Sequence, residues 1–154
     1  MRNLMLAVVV AALVPWSGAI FAGEAQAPRS EEVVVYKSPW CGCCEGWVDH
    51  MRANGFEVTV REQEDLSAIK RMSGVPEKLE SCHTAFVGGY AIEGHVPADA
   101  VERLLAERPP VRGLAVPGMP IGSPGMEGTD PEPYEVKTFT QGGATTVYER
   151  IRPQ

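Results

Sequence analysis

Apolar and polar residues alternate along the chain with periods that predict a mixed α/β domain. The β-branched run at residues 32–38, EVVVYKS, has the composition of a buried strand. From Cys44 to Met51 the apolar side chains recur at helical spacing, and Asn54-Gly55 is a typical helix end. The first two predicted elements are therefore a strand and a helix.

The same pattern continues through the middle of the chain. Residues 56–62, FEVTVRE, alternate as a strand does, and residues 65–74 form a short helix between an acidic cap and a glycine. Residues 83–88 and 91–96 flank a Gly-Tyr turn and predict a β-hairpin. A helix over residues 97–108 follows, with proline at its start.

The predicted order is β-α-β-α-β-β-α, which is that of a thioredoxin-like domain with a mixed sheet. A crossover helix makes the first two strands parallel, and the hairpin adds an antiparallel pair. Residues 113–128 are rich in Gly and Pro and predict a functional loop laid against the domain. Residues 134–151 alternate around a Gly-Gly pair and predict a closing hairpin.

The first 27 residues have the features of a secretory signal peptide. Arg2 precedes an apolar run, LMLAVVVAALV, and small residues follow near two candidate cleavage points, after Ala25 and after Ala27. The run is short for a transmembrane span, so a membrane anchor is the less favoured alternative. We therefore expect cleavage, export to the periplasm and a single mature domain over residues 28–154.

The net charge of −6 at pH 7 argues against nucleic acid or an anionic membrane surface as a partner. It is compatible with the binding of cations.

The segment SPWCGCC, residues 38–44, keeps the W-C-x-x-C spacing of a dithiol oxidoreductase but adds a third cysteine. An exported chain normally pairs its cysteines as disulfides. Disulfides of Cys43 with its close neighbours would be strained, whereas Cys41 with Cys44, or a pair that includes the distant Cys82, has easier geometry. Two structural disulfides are therefore not expected, and the cluster is open to redox or metal chemistry.

The predicted topology gathers further candidate ligands at the same end of the sheet. The hairpin begins at Cys82 and His83, and its returning strand brings His95 back to that end. The Gly/Pro-rich loop adds the thioethers of Met119 and Met126. The third histidine, His50, is expected on the solvated face of its helix and is not a predicted ligand.

Thiolates at the start of a helix have a lowered pKa, which makes them available as ligands or nucleophiles near neutral pH. Thiolate, thioether and imidazole together suit Cu(I). Because adjacent cysteines cannot easily all turn toward one ion, shared sulfurs and more than one copper are expected. The predicted metal ligands are Cys41, Cys43, Cys44, Cys82, His83, His95, Met119 and Met126.

Three blocks of sequence carry a resemblance to a known family: YKSPWCGCCEGWVDHM, GVPEKLESCHTAFVGGYAIEGHVPADAVERLL and GLAVPGMPIGSPGMEG. They resemble the exported metal-binding family called domain of unknown function 411, which includes CopG-type copper-resistance proteins. The resemblance implies a thioredoxin-like fold and copper bound through Cys41, Cys43 and Cys44, with Cys82 and His83 completing the site. It also implies a role in periplasmic copper handling.

Two functions from different classes follow. The first is a copper-binding protein for copper resistance that holds Cu(I), cycles it with Cu(II) and passes copper to periplasmic efflux components. The alternative is a thiol–disulfide oxidoreductase with Cys41 as nucleophile and Cys43 or Cys44 as resolving thiol. A structural zinc site is less favoured, because such sites use two separated pairs of ligands.

Overall fold

The computed structural model describes residues 31–152, so the predicted signal peptide lies outside the described residues. Within residues 31–152, no helix is long and apolar enough to span a membrane. The elements are β1 (Val33–Lys37), α1 (Gly42–Ala53), β2 (Val58–Glu62), α2 (Ser67–Ser73), a 3₁₀ helix (Glu77–Leu79), β3 (His83–Val87), β4 (Tyr90–Glu93), α3 (Ala98–Glu107), β5 (Gly113–Ala115), β6 (Tyr134–Phe139) and β7 (Thr145–Ile151).

The seven strands form one mixed sheet in the order β2-β1-β3-β4-β5-β6-β7. Strand β1 is parallel to β2 across the crossover helix α1, and it pairs antiparallel with β3. Strands β3 and β4 form the first hairpin, and β6 and β7 form the closing one. The predicted α/β class and the order β-α-β-α-β-β-α are confirmed, and the architecture is compatible with a thioredoxin-like domain.

The prediction that residues 113–128 are entirely loop is wrong at their start. Gly113–Ala115 forms β5, which pairs parallel with β4 and antiparallel with β6, so it joins the two halves of the sheet. A Cβ atom on Gly113 would lie 1.8 Å from the carbonyl oxygen of Ala91, so only glycine fits here. Three residues are too few to show a strand period, which is why the pattern does not reveal β5.

The second strand of the first hairpin ends earlier than predicted. Strand β4 stops at Glu93, and Gly94 adopts a positive φ of 69°. A side chain at Gly94 would collide with Ser81 and with the carbonyl oxygen of Val116. His95 therefore lies in the turn after the strand, yet still at the end of the sheet where β3 begins.

The main core lies between the sheet and the buried faces of α1 and α3. Helix α1 contributes Trp47, Val48 and Met51, all fully buried as their helical spacing predicts. The indole Nε1 of Trp47 donates a hydrogen bond of 2.8 Å to the carbonyl oxygen of Val96, which satisfies the buried polar atom of a large apolar side chain.

The Gly/Pro-rich segment, which the sequence predicts to be laid against the domain, lies against α1, and two glycines make that contact possible. A Cβ atom on Gly46 would lie 2.8 Å from the Cα of Gly125. Gly125 has a φ of 84°, and a Cβ there would lie 2.4 Å from the carbonyl oxygen of Cys43. Backbone thus packs directly on backbone, one turn away from the cysteine cluster.

We expect Gly46→Ala to lower the free energy of unfolding by about 1–3 kcal/mol, the usual cost of overpacking. Alanine normally stabilises a helix relative to glycine, so a loss at this position reports the collision with the loop. Urea unfolding measures the change. Gly42→Ala in the same helix is the matched control, because its Cβ would meet no atom within 4 Å. Equal stabilities for the two variants would contradict the close packing.

Candidate metal centre

The four cysteines of the chain come together at the start of α1. Cys41 and Cys44 form a disulfide, and the Sγ of Cys43 lies 3.4 Å from that of Cys41. The Sγ of Cys82 completes a group whose four sulfur atoms all lie within 4.8 Å of one another. The structure therefore shows the oxidised form of the cluster, and reduction of one disulfide would provide four thiols at one place.

A second group of possible ligands shares Cys82 with the first. It consists of Cys82, His83 and His95, whose ligand atoms also lie within 4.8 Å of one another. The Sγ of Cys82 is 3.3 Å from Nδ1 of His83 and 3.0 Å from Nε2 of His95. The prediction that the hairpin returns His95 to the beginning of β3 is confirmed.

The position of His95 fixes its tautomer. Its Nδ1 lies 2.7 Å from the carbonyl oxygen of Pro124. A carbonyl oxygen only accepts, so Nδ1 carries the proton and Nε2 presents a lone pair toward Cys82. The Gly/Pro-rich segment thereby orients a candidate ligand through its backbone, a role that no side-chain pattern indicates.

Both imidazoles of this group are in the form that binds metals. Burial lowers the pKa of His83 well below its usual value, and the nearby positive charge of Lys70 lowers it further. Burial also lowers the pKa of His95. The rings are therefore neutral at neutral pH, as coordination requires.

Cys82 carries a thiol that is hard to deprotonate. Burial, followed by the nearby Cys43, raises the pKa of Cys82 to about 12. Cys82 precedes a strand, so no helix dipole offsets this effect of burial. A metal bound at Cys82 must displace its proton.

A buried ion pair supports the backbone next to Cys82. Glu93 is fully buried and pairs with Lys70, while its carboxylate accepts hydrogen bonds of 2.6 Å from the Ser81 amide and the Thr84 hydroxyl. Burial raises the pKa of Glu93, an effect that the pairing with Lys70 opposes. Sequence reasoning missed this network, although a glutamate in the otherwise apolar strand YAIE is a signal for it.

A second ion-pair network holds the first turn of α1. Lys37, at the end of β1, is fully buried and contacts Glu45 at 2.7 Å and Glu62 at 3.5 Å. Burial alone would lower the pKa of Lys37, but the two carboxylates outweigh it and the net pKa is raised. The helix start that carries the cysteines is therefore tied to the strand before it.

The remaining predicted residues are placed as follows. The Sδ of Met119 lies 3.9 Å from the Sγ of Cys43, and its side chain is 51% exposed at the opening of the cluster. Met126 takes part in a turn through its backbone, and its role as a ligand stays a prediction. The placement of His50 on a solvated face is wrong: it is half-buried, and its Nε2 accepts the Ala98 amide hydrogen at the start of α3.

Comparison with known proteins now identifies the family. The profile of the family described as "Protein of unknown function, DUF411" matches residues 79–126. Two solved structures, "Copper resistance protein copG- Form 2" and "Form 1", are 43% identical to the chain, with TM-scores of 0.75 and 0.74. Each alignment covers 79% of this chain and 98% of that structure's chain. The chain belongs to the DUF411 family of CopG-type proteins.

The DUF411 match also separates the two candidate ligand groups. It includes Cys82, His83 and His95 but begins after the three cysteines of residues 41–44. The resemblance noted in the sequence is confirmed at the level of the family. No curated protein matches the chain.

We expect folded Cys82 to react with iodoacetamide about fiftyfold more slowly at pH 7 than in the urea-unfolded chain. A pKa near 12 lowers the fraction of Cys82 present as thiolate about a thousandfold. A more basic thiolate is also more nucleophilic, which raises its reaction rate about twentyfold, so the net rate falls about fiftyfold. Peptide mass spectrometry of the oxidised protein measures the rate. The rate in the folded protein should still be rising with pH above pH 9, and a plateau below pH 9 would contradict the raised pKa.

We expect Glu93→Gln to lower the free energy of unfolding by about 3 kcal/mol, because it leaves the buried Lys70 without its counter-charge. Urea unfolding measures the loss. Asp49→Asn, in an exposed pair with Arg52, is the matched control and should cost less than about 1 kcal/mol. A cost for Glu93→Gln as small as that of the control would show that the buried pair does not support the site.

Proposed function

We propose that this protein is an exported copper-binding protein that serves copper resistance or homeostasis in the periplasm. The observation that carries the proposal is the group of four cysteine sulfurs within 4.8 Å, with the thioether of Met119 at its edge. Support comes from the 43% identity to solved proteins that are named copper resistance proteins.

The metal that such a group favours is Cu(I). Four crowded thiolates repel one another, and a soft cation with a high affinity for sulfur offsets that repulsion. Cys43 and Cys44 are neighbours on the first turn of α1, and every sulfur of the group lies within 4.8 Å of the other three, a crowding that favours sulfurs that bridge separate ions. We therefore propose a multinuclear Cu(I) cluster on Cys41, Cys43, Cys44 and Cys82.

Imidazole and thioether complete the proposed ligand set. His83 and His95 lie next to the Sγ of Cys82, and Met119 lies next to that of Cys43. Met126, in the same Gly/Pro-rich segment as Met119, stays in the proposed set from the sequence alone.

The disulfide gives the cluster a route for redox cycling. Oxidation of the Cys41 and Cys44 thiols by two Cu(II) ions forms one S–S bond, two Cu(I) ions and two protons, which go to solvent. Reduction of the disulfide by an external dithiol, which supplies two electrons and two protons and itself becomes a disulfide, restores two thiols that can bind Cu(I). Capture and reduction of copper are thereby linked in one cluster, and transfer to efflux components is the proposed next step.

A second candidate function is thiol–disulfide exchange with other proteins. The observation that favours it is the Cys41–Cys44 disulfide at the start of α1, in which Cys44 is buried and Cys41 is partly exposed. Cys41 would be the nucleophile. Against this function, Cys43 lies 3.4 Å from the Sγ of Cys41 and Cys82 is also in the group, so internal thiols compete with any substrate.

Titration of the reduced mature protein with Cu(I), in the presence of a competing chelator, tests the proposal. We expect more than one Cu(I) per chain by native mass spectrometry, because clustered thiolates bridge ions. Cys43→Ser should weaken Cu(I) binding at least about tenfold, or about 1.4 kcal/mol. The disulfide form, with two thiols fewer, should hold fewer Cu(I) ions than the reduced form.

The same samples separate the two candidate functions. A protein that binds one Cu(I) or none, prefers zinc, and catalyses the reduction of a protein disulfide through Cys41 would be an oxidoreductase. Cys43→Pro, which creates the W-C-G-P-C stretch, provides a further comparison. If it leaves copper binding unchanged, Cys43 is not a ligand.

A further inference from the structure

The side chain of His50 makes a contact that the proposed copper chemistry does not use. His50 lies in the second half of α1, and its Nε2 is 3.0 Å from the backbone nitrogen of Ala98, the first residue of α3. A backbone amide only donates, so Nε2 carries no proton and the neutral ring holds its proton on Nδ1. The contact therefore exists only while His50 is neutral.

Helix α3 obtains the acceptor for its first amide from α1. The residue before the helix, Pro97, makes no side-chain hydrogen bond to it, and the Ala98 amide is one of the N–H groups that a helix leaves unpaired in its first turn. Ala98 is 1% exposed, so little water reaches this amide. A buried amide without an acceptor is costly, and the ring of His50 removes that cost.

Two hydrogen bonds join α1 to the segment between β4 and α3. The indole of Trp47 donates to the carbonyl oxygen of Val96, and His50, three residues further along α1, accepts from Ala98. Positions three residues apart share one face of a helix, so both bonds act on the same short segment. His95, a proposed copper ligand, directly precedes the first of these two contacts. The helix that carries three cysteines thereby fixes the backbone next to His95.

Charges from two neighbouring elements act on the ring of His50. Burial lowers the pKa of His50, while the charges of Asp99, in the first turn of α3, and of Glu127, in the Gly/Pro-rich segment, oppose the shift. The Nε2 atom faces the N-terminal end of α3, which carries partial positive charge. A proton on Nε2 would point one donor at another and place positive charge against this helix end.

We propose that His50 is an acid-sensitive positioning residue for the metal centre: its neutral ring holds the segment that carries His95 against the cysteine helix, and its protonation releases that segment. The step is the binding of one proton from solvent to Nε2, which breaks the hydrogen bond from the Ala98 amide. The contact follows from the geometry, whereas its effect on copper rests on the proposed function.

The lowered pKa gives the direction of the effect with pH. In the unfolded chain His50 binds a proton near its ordinary value of 6.5, and in the folded protein it does so at lower pH. The contribution of the contact to stability is therefore fully present above pH 6.5. It is lost progressively as the pH falls from that value toward the lowered pKa, where the contact itself opens.

NMR of the oxidised, metal-free protein tests the contact. We expect the Ala98 amide to lose at least about tenfold in protection against hydrogen exchange as the pH is lowered, with the same midpoint as the ring resonances of His50. The backbone amide resonance of His95 should shift with that midpoint. At high pH the ring nitrogens of His50 should show the neutral form with its proton on Nδ1.

Two substitutions of the same residue provide the controls. His50→Gln supplies a side-chain oxygen that accepts the hydrogen bond without titrating, so it should keep the protection of Ala98 at every pH and abolish the shift of His95. His50→Leu should lack the protection throughout. Asp99→Asn removes a charge that favours the protonated ring, so it should move the midpoint to lower pH.

The effect on copper is measured as a ratio between variants. Protonation of the cysteines weakens Cu(I) binding equally in the reduced wild type and in reduced His50→Gln, so the ratio of their affinities reports on His50 alone. We expect equal affinities above about pH 7. Below the midpoint of the His50 ring, the wild type should bind about threefold more weakly or worse, because the fraction of protein with the segment in place falls.

The outcomes separate this role from the copper proposal. Protection of Ala98 that does not follow the titration of His50, or an equal loss in His50→Gln, would overturn the positioning role. Equal Cu(I) affinities of the two variants at every pH would overturn its effect on the metal centre. A failed Cu(I) titration of the wild type above pH 7 would overturn the copper proposal, and the shift of the His95 resonance would still decide the role of His50.

Discussion

The candidate site depends on the register between β1 and β3, which pairs Lys37 with His83. Lys37 is the last residue of β1 before the segment that carries Cys41–Cys44, and His83 follows Cys82 directly. Because the two strands are antiparallel, the end of one lies beside the beginning of the other. A shift of one residue would turn the side chains of β3 to the opposite face and separate Cys82 from the other three sulfurs.

Buried ion pairs lie beside both of these strands. Lys37 is buried against Glu45 and Glu62, and Glu93 is buried against Lys70. Buried ion pairs contribute little net stability compared with apolar packing, but loss of one partner is costly. We therefore interpret these networks as devices that fix the backbone next to the cysteines, more than as sources of stability.

The Gly/Pro-rich segment acts on the site mainly through its backbone. Its Gly125 packs on Gly46, its Pro124 orients His95, and its Met119 reaches Cys43. The position of this one segment therefore affects both the sulfur cluster and His95. Cys82 belongs to both groups of candidate ligands. Its protonation or its binding of a metal therefore affects both groups.

The local pattern of apolar and polar residues was enough to predict the α/β class, the element order and the first and closing hairpins. Hydrophobic periodicity and helix caps are each encoded over a few residues. The pattern also indicated that Cys82, His83 and His95 would meet the cysteines at residues 41–44, because the second strand of any hairpin runs back toward the start of the first.

Tertiary structure alone decided the features that depend on distant neighbours. Strand β5 exists because Gly113 fits between two other strands, and Glu93 is tolerated because Lys70 reaches it. The pKa of Cys82 is raised because the residue is buried and lies near Cys43, neither of which its sequence neighbours indicate. Burial, strand pairing and the local electric field each depend on residues that are distant in the sequence. A sequence pattern shows only the contribution of residues that are near one another along the chain.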